Sequence, residues 1–429
     1  MIAGAFLVLI LVGTLLLKIP AANNGISWTE AFFESVSAVT VTGLSVVPPA
    51  EALTPLGQAI LVGLVQLGGL GIMTATTVGA LLIGRRMGFR DLLVVREELA
   101  SADSPRNVLA LIGQVALVTG LIEIVGAIIL TAWLAFRGLG AAEATGLGVF
   151  HAITGFCNAG FDVFPGGLAA YAGDPVVNLT LVYLIVAGGL GFPVLVNLYY
   201  YPKIRRLTLQ SKLVLVTTGI LFALGILSVA LLEWTNPRTL GDEPLGTRVL
   251  ESVFQGVTPR TAGFATVDYT EMREPTIFVQ IALMFIGVAP VSTGGGIKVT
   301  TVALVFLILL SQVRGQDEVA AFGRRIPRSL IAKSLALLSL SAVLVFGATL
   351  ALMVSDGLGL TPALFEVASA FGTVGLSLNV TPELGTFGRL LLVIVMFAGR
   401  IGPITLALAL AARSKPRRYS YPEEEIAIG

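Results

Sequence analysis

Four short stretches of this chain close on a glycine flanked by small or hydroxyl-bearing residues: Thr40-Val41-Thr42-Gly43-Leu44, Cys157-Asn158-Ala159-Gly160-Phe161, Arg260-Thr261-Ala262-Gly263-Phe264 and Gly372-Thr373-Val374-Gly375-Leu376. Their glycines recur at intervals of 117, 103 and 112 residues, an internal fourfold repeat. What such stretches offer is backbone. Glycine permits angles that aim successive carbonyl oxygens to one side at no Cβ cost. Four loops facing one axis would form a cage of oxygens, which can replace the water shell of a dehydrated cation.

Other chemistry is sparse. The single cysteine, Cys157, excludes an intramolecular disulfide and offers no cysteine cluster for a metal; the single histidine, His151, removes most remaining ligand chemistry. Metalloenzyme and Ser-His hydrolase readings are therefore weak. Glu34, His151 and Glu366 each lie nine residues before a loop glycine. A structural role is expected there, with the carboxylates complementing the dipole near a helix N-terminus. Asp162 and Asp268 follow the second and third loops, where they could concentrate cations, although a solvated loop carboxylate is the commoner case. Glu123 lies within an apolar run and receives no role.

A second feature is the run Val288-Ala289-Pro290-Val291-Ser292-Thr293-Gly294-Gly295-Gly296-Ile297-Lys298 inside a long apolar segment. Proline with three consecutive glycines cannot hold a helix unaided. The break is expected to line the pathway as a gate, a loop that obstructs the ion and must move for conduction; a kinked helix without such a role is the alternative. Arg400 stands mid-way in the last apolar run, where a charge is expensive. Aligned by its small-residue cluster it falls at the place of Leu70 and Leu190, and it is expected to act as an electrostatic barrier or to pair with the broken segment. Lys298 shares that role or caps the broken helix.

The elements that must position these residues follow from composition. Of 429 residues 55% are hydrophobic and only 12% charged, against about 25% charged in a typical soluble domain. Apolar segments near 2–19, 54–83, 108–136, 175–200, 211–234, 274–312, 329–354 and 386–412 are each long enough to cross hydrocarbon. The first lacks a basic flank and a cleavage site, so it reads as a membrane helix and not a signal peptide. Between members of each pair lies a shorter segment, near 28–41, 146–158, 248–260 and 362–373, expected to be a re-entrant pore helix. The sequence therefore predicts an all-α polytopic membrane protein of four pseudo-symmetric helix–pore loop–helix repeats, eight spans around a central ion pore. Its divisions are 1–83, a connection 84–107, 108–200, 201–312 with its second helix broken at 288–298, 313–412 and a tail 413–429. Small-residue clusters (Gly68-Gly69-Leu70-Gly71, Gly188-Gly189-Leu190-Gly191, Gly294-Gly295-Gly296, Ala398-Gly399-Arg400-Ile401-Gly402) mark the helix after each loop.

The net charge of +1 hides an asymmetry. Connections 84–107, 201–212 and 313–333 and the tail carry five, four, five and four Lys or Arg, whereas Arg137, Arg238, Arg248, Arg260 and Arg273 stand in the segments on the loop side. By the positive-inside rule both termini are cytoplasmic and the pore loops open outward. No nucleic-acid reading follows from these cations.

Thr373-Val374-Gly375 matches the start of the Thr-Val-Gly-Tyr-Gly potassium filter, although Leu376-Ser377 replaces its end. With the four single-glycine loops, the Gly-rich break and Arg400, the chain resembles the Trk/Ktr/HKT superfamily of potassium transporters over nearly its whole length. Eight spans and the tail Tyr421-Pro422-Glu423-Glu424-Glu425 look most like the Ktr-type bacterial membrane subunit. The resemblance implies potassium held by carbonyls of Val41-Thr42, Asn158-Ala159, Thr261-Ala262 and Thr373-Val374, beside Gly43, Gly160, Gly263 and Gly375. It implies a homodimer with a pore in each protomer, and a cytoplasmic ring of nucleotide-binding regulatory subunits acting on a gate of Pro290, Thr293, Gly294, Gly295, Gly296, Lys298 and Arg400. No other cofactor is expected; potassium is substrate and sodium a candidate activator. Two rivals are weaker. A coupled carrier would use two broken helices in inverted repeats with midplane carboxylates. An intramembrane enzyme would need a paired catalytic constellation in the spans, and none is evident.

Overall fold

The computed structural model describes residues 2–83, 105–316 and 318–402, with side chains at 3–71, 113–316 and 318–402. The described residues are mostly helical. Shorter helices stand between longer ones in a recurring order. The first set is α1 (Ile2–Leu17), α2 (Trp28–Val39) and α3 (Pro55–Ile83). The second is α4 (Pro105–Phe136), α5 (Ala141–Cys157), α6 (Pro175–Leu190) and α7 (Phe192–Ile204). The third is α8 (Leu209–Glu233), α9 (Leu245–Val257), α10 (Glu274–Phe285) and α11 (Val299–Val313). The fourth is α12 (Arg328–Asp356), α13 (Leu360–Gly372) and α14 (Thr386–Ile401). The tail 413–429 and most of the connection 84–107 lie outside the described residues.

The exterior is not that of a protein in water. Leu117, Leu121 and Ile128 on α4, Ile220, Leu224 and Leu231 on α8, and Val343, Phe346 and Leu350 on α12 are all more than half exposed. The polar Glu34, His151, Gln255 and Glu366 are fully buried. Apolar side chains exposed along long helices, with polar groups buried within an otherwise apolar core, are the pattern expected where hydrocarbon is the solvent. Among the described residues, Gly113–Phe136, α8 and α12 meet the length and hydropathy of a span outright, and α6 with α7 forms a fourth as a bent pair.

Local sequence sets the ends of these elements. Ser27 and Glu30 form a reciprocal capping box at the start of α2. Asp174 caps α6 by accepting from the N–H groups of Val176 and Val177.

The structure departs from the expected spans in three places. The segment 175–200 is not one helix but bends by 101° between α6 and α7. Gly191 makes the corner at φ +80, a conformation costly for a residue with a Cβ, and Pro193 restarts the helix in its first turn. The break in the sixth segment is wider than 288–298, running from Ile286 to Lys298, and its ends are joined by a parallel bridge between Ile286 and Ile297. Finally, the connection 313–333 contains a two-stranded hairpin, Ala320–Ala321 with Arg324–Arg325.

Candidate functional site: four glycine loops and the broken-helix loop

Each short helix runs directly into one glycine loop, so the negative end of its dipole points at that loop. Within each loop the residue two before the glycine is left-handed: Val41 at φ 56, Asn158 at 60, Thr261 at 67 and Thr373 at 49. The glycines are left-handed too, at φ 88, 62, 78 and 98 in chain order. The residue between each pair is not, so left-handed and ordinary conformations alternate over three residues.

The loops meet one another in a closed cycle. A Cβ added to Gly43 would strike the carbonyl oxygen of Ala159, one on Gly160 that of Ala262, one on Gly263 that of Val374, and one on Gly375 that of Thr42. First touches second, second third, third fourth, and fourth returns to first. Val41, Thr42, Asn158, Ala159, Thr261, Ala262, Thr373 and Val374 are all completely buried. Glycine is required here by close approach as well as by φ, because any side chain would displace a neighbouring carbonyl.

Behind this cycle stands a second set of buried polar side chains. Glu34 accepts from Ser45 Oγ at 2.6 Å and from Val46 N at 2.9 Å. Glu366 accepts from Ser377 Oγ at 2.6 Å, Leu378 N at 2.9 Å and Thr381 Oγ1. His151 holds Leu147 O through Nδ1 at 2.9 Å and meets Asp162 and Val163 N through Nε2 at 3.1 and 3.3 Å. These residues are not at helix N-termini, as the dipole argument expected; they lie mid-helix and fasten the chain leaving each glycine back onto its short helix. Asp162 and Asp268 are likewise used locally, Asp162 by the N–H groups of Phe164 and Leu168 and Asp268 by Thr270.

The third member of this set is Gln255, which sequence spacing missed. It donates to Thr266 Oγ1 at 2.9 Å and accepts from Tyr269 OH at 2.8 Å. Thr42, Ala159 and Val374 bond carbonyls five residues back, whereas Ala262 bonds Thr258, four back. The third loop is thus one residue shorter, and a count of nine lands on apolar Phe254. Glu366→Leu should strand the buried groups of Ser377, Leu378 and Thr381. A loss of about 2–4 kcal/mol in unfolding free energy of the detergent-solubilised protein is expected.

The broken-helix loop packs directly against these elements. Thr293 Oγ1 donates to Phe156 O at 3.2 Å, and Gly295 N donates to Thr373 Oγ1 at 2.8 Å. A Cβ on Gly294 would strike Thr261, and one on Gly191, at the corner of α6 and α7, would approach Pro290 O to 2.7 Å. Arg400, 4% exposed, donates through Nη1 to Thr293 O and through Nη2 to Gly68 O at 3.0 Å. Lys298 Nζ donates back to Gly294 O at 2.6 Å. All the residues assigned to the gate from sequence therefore lie around one loop.

Geometry also sets the register of Arg400. Added Cβ atoms on Gly68, Gly188 and Gly399 would strike Val39 O, Phe156 O and Phe371 O, the carbonyls four residues before their loop glycines. Gly399 therefore matches Gly68 and Gly188, and Arg400 stands in place of Gly69 and Gly189, one position earlier than the clusters suggested. Gly294-Gly295-Gly296 makes no such contact: a Cβ on Gly294 or Gly295 would strike the side chain of Thr261 or Thr373. Arg260, counted from sequence among the outward charges, is 1% exposed and donates to Leu283 O at 3.4 Å, Ile286 O and Gly287 O. It satisfies carbonyls that the end of α10 leaves open. Its place in the loop that ends the re-entrant segment 248–260, at membrane depth, was the signal that could have found it.

Buried loops that bring backbone oxygens together, inside a helical body with an apolar exterior, are the arrangement of an integral membrane protein. The family model described as TrkH, cation transport protein, matches residues 2–418. The chain is 38% identical over its whole length to the Ktr system potassium uptake protein B of Bacillus subtilis, covering 96% of it. It is 32% identical over its whole length to the potassium/sodium uptake protein NtpJ of Enterococcus hirae, again covering 96%. The solved structure of the potassium transporter TrkH from Vibrio parahaemolyticus superposes with a TM-score of 0.76 at 22% identity, over 95% of this chain and 83% of that one. The chain belongs to the TrkH family of cation transport proteins and, like these relatives, is a transporter and not an enzyme.

Proposed function

We propose that this protein takes up potassium across the plasma membrane through one pathway lined by the backbone oxygens of its four glycine loops. The observation that carries the reading is the closed cycle of contacts from Gly43 through Gly160 and Gly263 to Gly375 and back. Alternating left-handed backbone and four helix dipoles give that cycle the oxygens and the field a dehydrated cation needs. Eight spans in four units, 1–83, 108–200, 201–312 and 313–412, surround it, with both termini cytoplasmic. Val41-Thr42, Asn158-Ala159, Thr261-Ala262 and Thr373-Val374 supply the filter carbonyls. The loop carrying Pro290, Thr293, Gly294, Gly295 and Gly296, held by Arg400 and Lys298, is the gate. The Ktr system named in the relatives supports a further subunit, read here as a cytoplasmic nucleotide-binding ring beside a membrane homodimer, and the potassium/sodium uptake protein of Enterococcus supports sodium as a second ion to test, as substrate or as activator.

Purified protein in liposomes should take up potassium faster than sodium down equal gradients, and should do so without sodium present. The second break, at Gly191, gives the coupled-carrier alternative an observation of its own. Uptake that strictly requires a sodium or proton gradient would favour that alternative; uptake indifferent to cation identity would reject the filter.

A further inference from the structure

Between the broken-helix loop, α12 and α14 lies a cavity of about 120 Å³, lined among others by Ser292, Lys298, Thr301, Ser341 and Arg400. We infer that it is a binding site for a small inorganic anion of halide size. Four observations converge on that chemistry. Two cationic side chains line the cavity, and no acidic side chain stands among its lining residues. Lys298 is also the N-cap of α11, a helix of fifteen residues, so the positive end of a helix dipole faces the same space. Arg400 Nε and Ser341 Oγ have no hydrogen-bond partner among the described residues, although Arg400 is 4% exposed and Ser341 not at all. Lys298 directs a single hydrogen bond among the described residues, to Gly294 O.

Among the described residues these two charges direct their hydrogen bonds to backbone carbonyls, Thr293 O, Gly68 O and Gly294 O. Buried cations are stabilised far better by a formal negative charge, and buried donors left unmade are costly. The volume is several times that needed for one water, leaving room for a halide with part of its hydration. An occupant would also weaken the positive field that Arg400 and Lys298 set against a passing cation, a consequence that rests on the gate reading while the site itself does not.

Bromide is the probe. Anomalous diffraction from crystals of the intact protein soaked in sodium bromide should show a peak in this cavity, within reach of Lys298, Arg400 and Ser341. Bromides ordered elsewhere with none here would overturn the inference. In detergent, bromide should raise thermal stability relative to the bulkier gluconate at equal ionic strength. Ser341→Ala and Lys298→Met should each raise the half-effect concentration by about tenfold, the loss of one strong hydrogen bond. Half-effect concentrations unchanged in both variants would overturn it as well. Neither readout uses transport, so failure of potassium uptake and failure of this site are separable.

Discussion

Replacing Gly375 by serine should lower the ratio of potassium to sodium flux in reconstituted protein by about tenfold or more. Gly375 sits at φ +98, and an added Cβ would strike Thr42 O while lying 3.1 Å from the Cα of Gly43. A residue with a side chain held in such a conformation costs on the order of 1–3 kcal/mol. The displaced carbonyl is one of those proposed to hold the ion. A tenfold preference corresponds to only about 1.4 kcal/mol, so strain of this size is comparable to the discrimination itself. Gly263→Ser should act alike through Val374 O. Gly120→Ser is the control, because a Cβ there meets nothing within 4 Å. An unchanged flux ratio in folded Gly375→Ser protein would remove the fourth loop from the filter.

Features that depend on one residue type at one backbone angle were readable from sequence. All four loop glycines are found at positive φ and at the point of closest approach, because nothing else fits there. Features that depend on a count were not. Gln255 was missed through a single-residue difference in the third loop, and Arg400 was placed one step off because Ala398 lengthens its cluster without sharing the role of Gly68. Window averages hid the corner at Gly191, since Phe192 and the residues after it are as apolar as a continuous span requires. Charge counting placed Arg260 by segment, whereas its depth is set by the end of α10. The hairpin at 320–325 turns through Phe322 and Gly323, both at positive φ, and lacks the Asn or Asp that usually announces such a turn.

Arg400→Gln should raise resting potassium flux, measured without any regulatory partner, by at least about tenfold, while the potassium-over-sodium ratio is kept. Arg400 ties the loop at Thr293 to the backbone of Gly68 on α3, across three of the four helix sets. Each charge-assisted bond to a buried carbonyl contributes about 1.5–3 kcal/mol, and glutamine at the same place is too short to span both. Losing one such bond shifts a closed-to-open equilibrium by about tenfold or more. The same substitution removes a positive charge beside the loop proposed as the gate, which acts in the same direction. Deleting Thr293 to Gly296 should reproduce the rise, because the bridge between Ile286 and Ile297 closes the base of the loop independently of its tip. If the tip only supports the filter loops, through Thr373 and Phe156, the deletion would lower selectivity together with flux. A gate leaves selectivity intact while flux climbs, and that divergence is what the paired measurement reads.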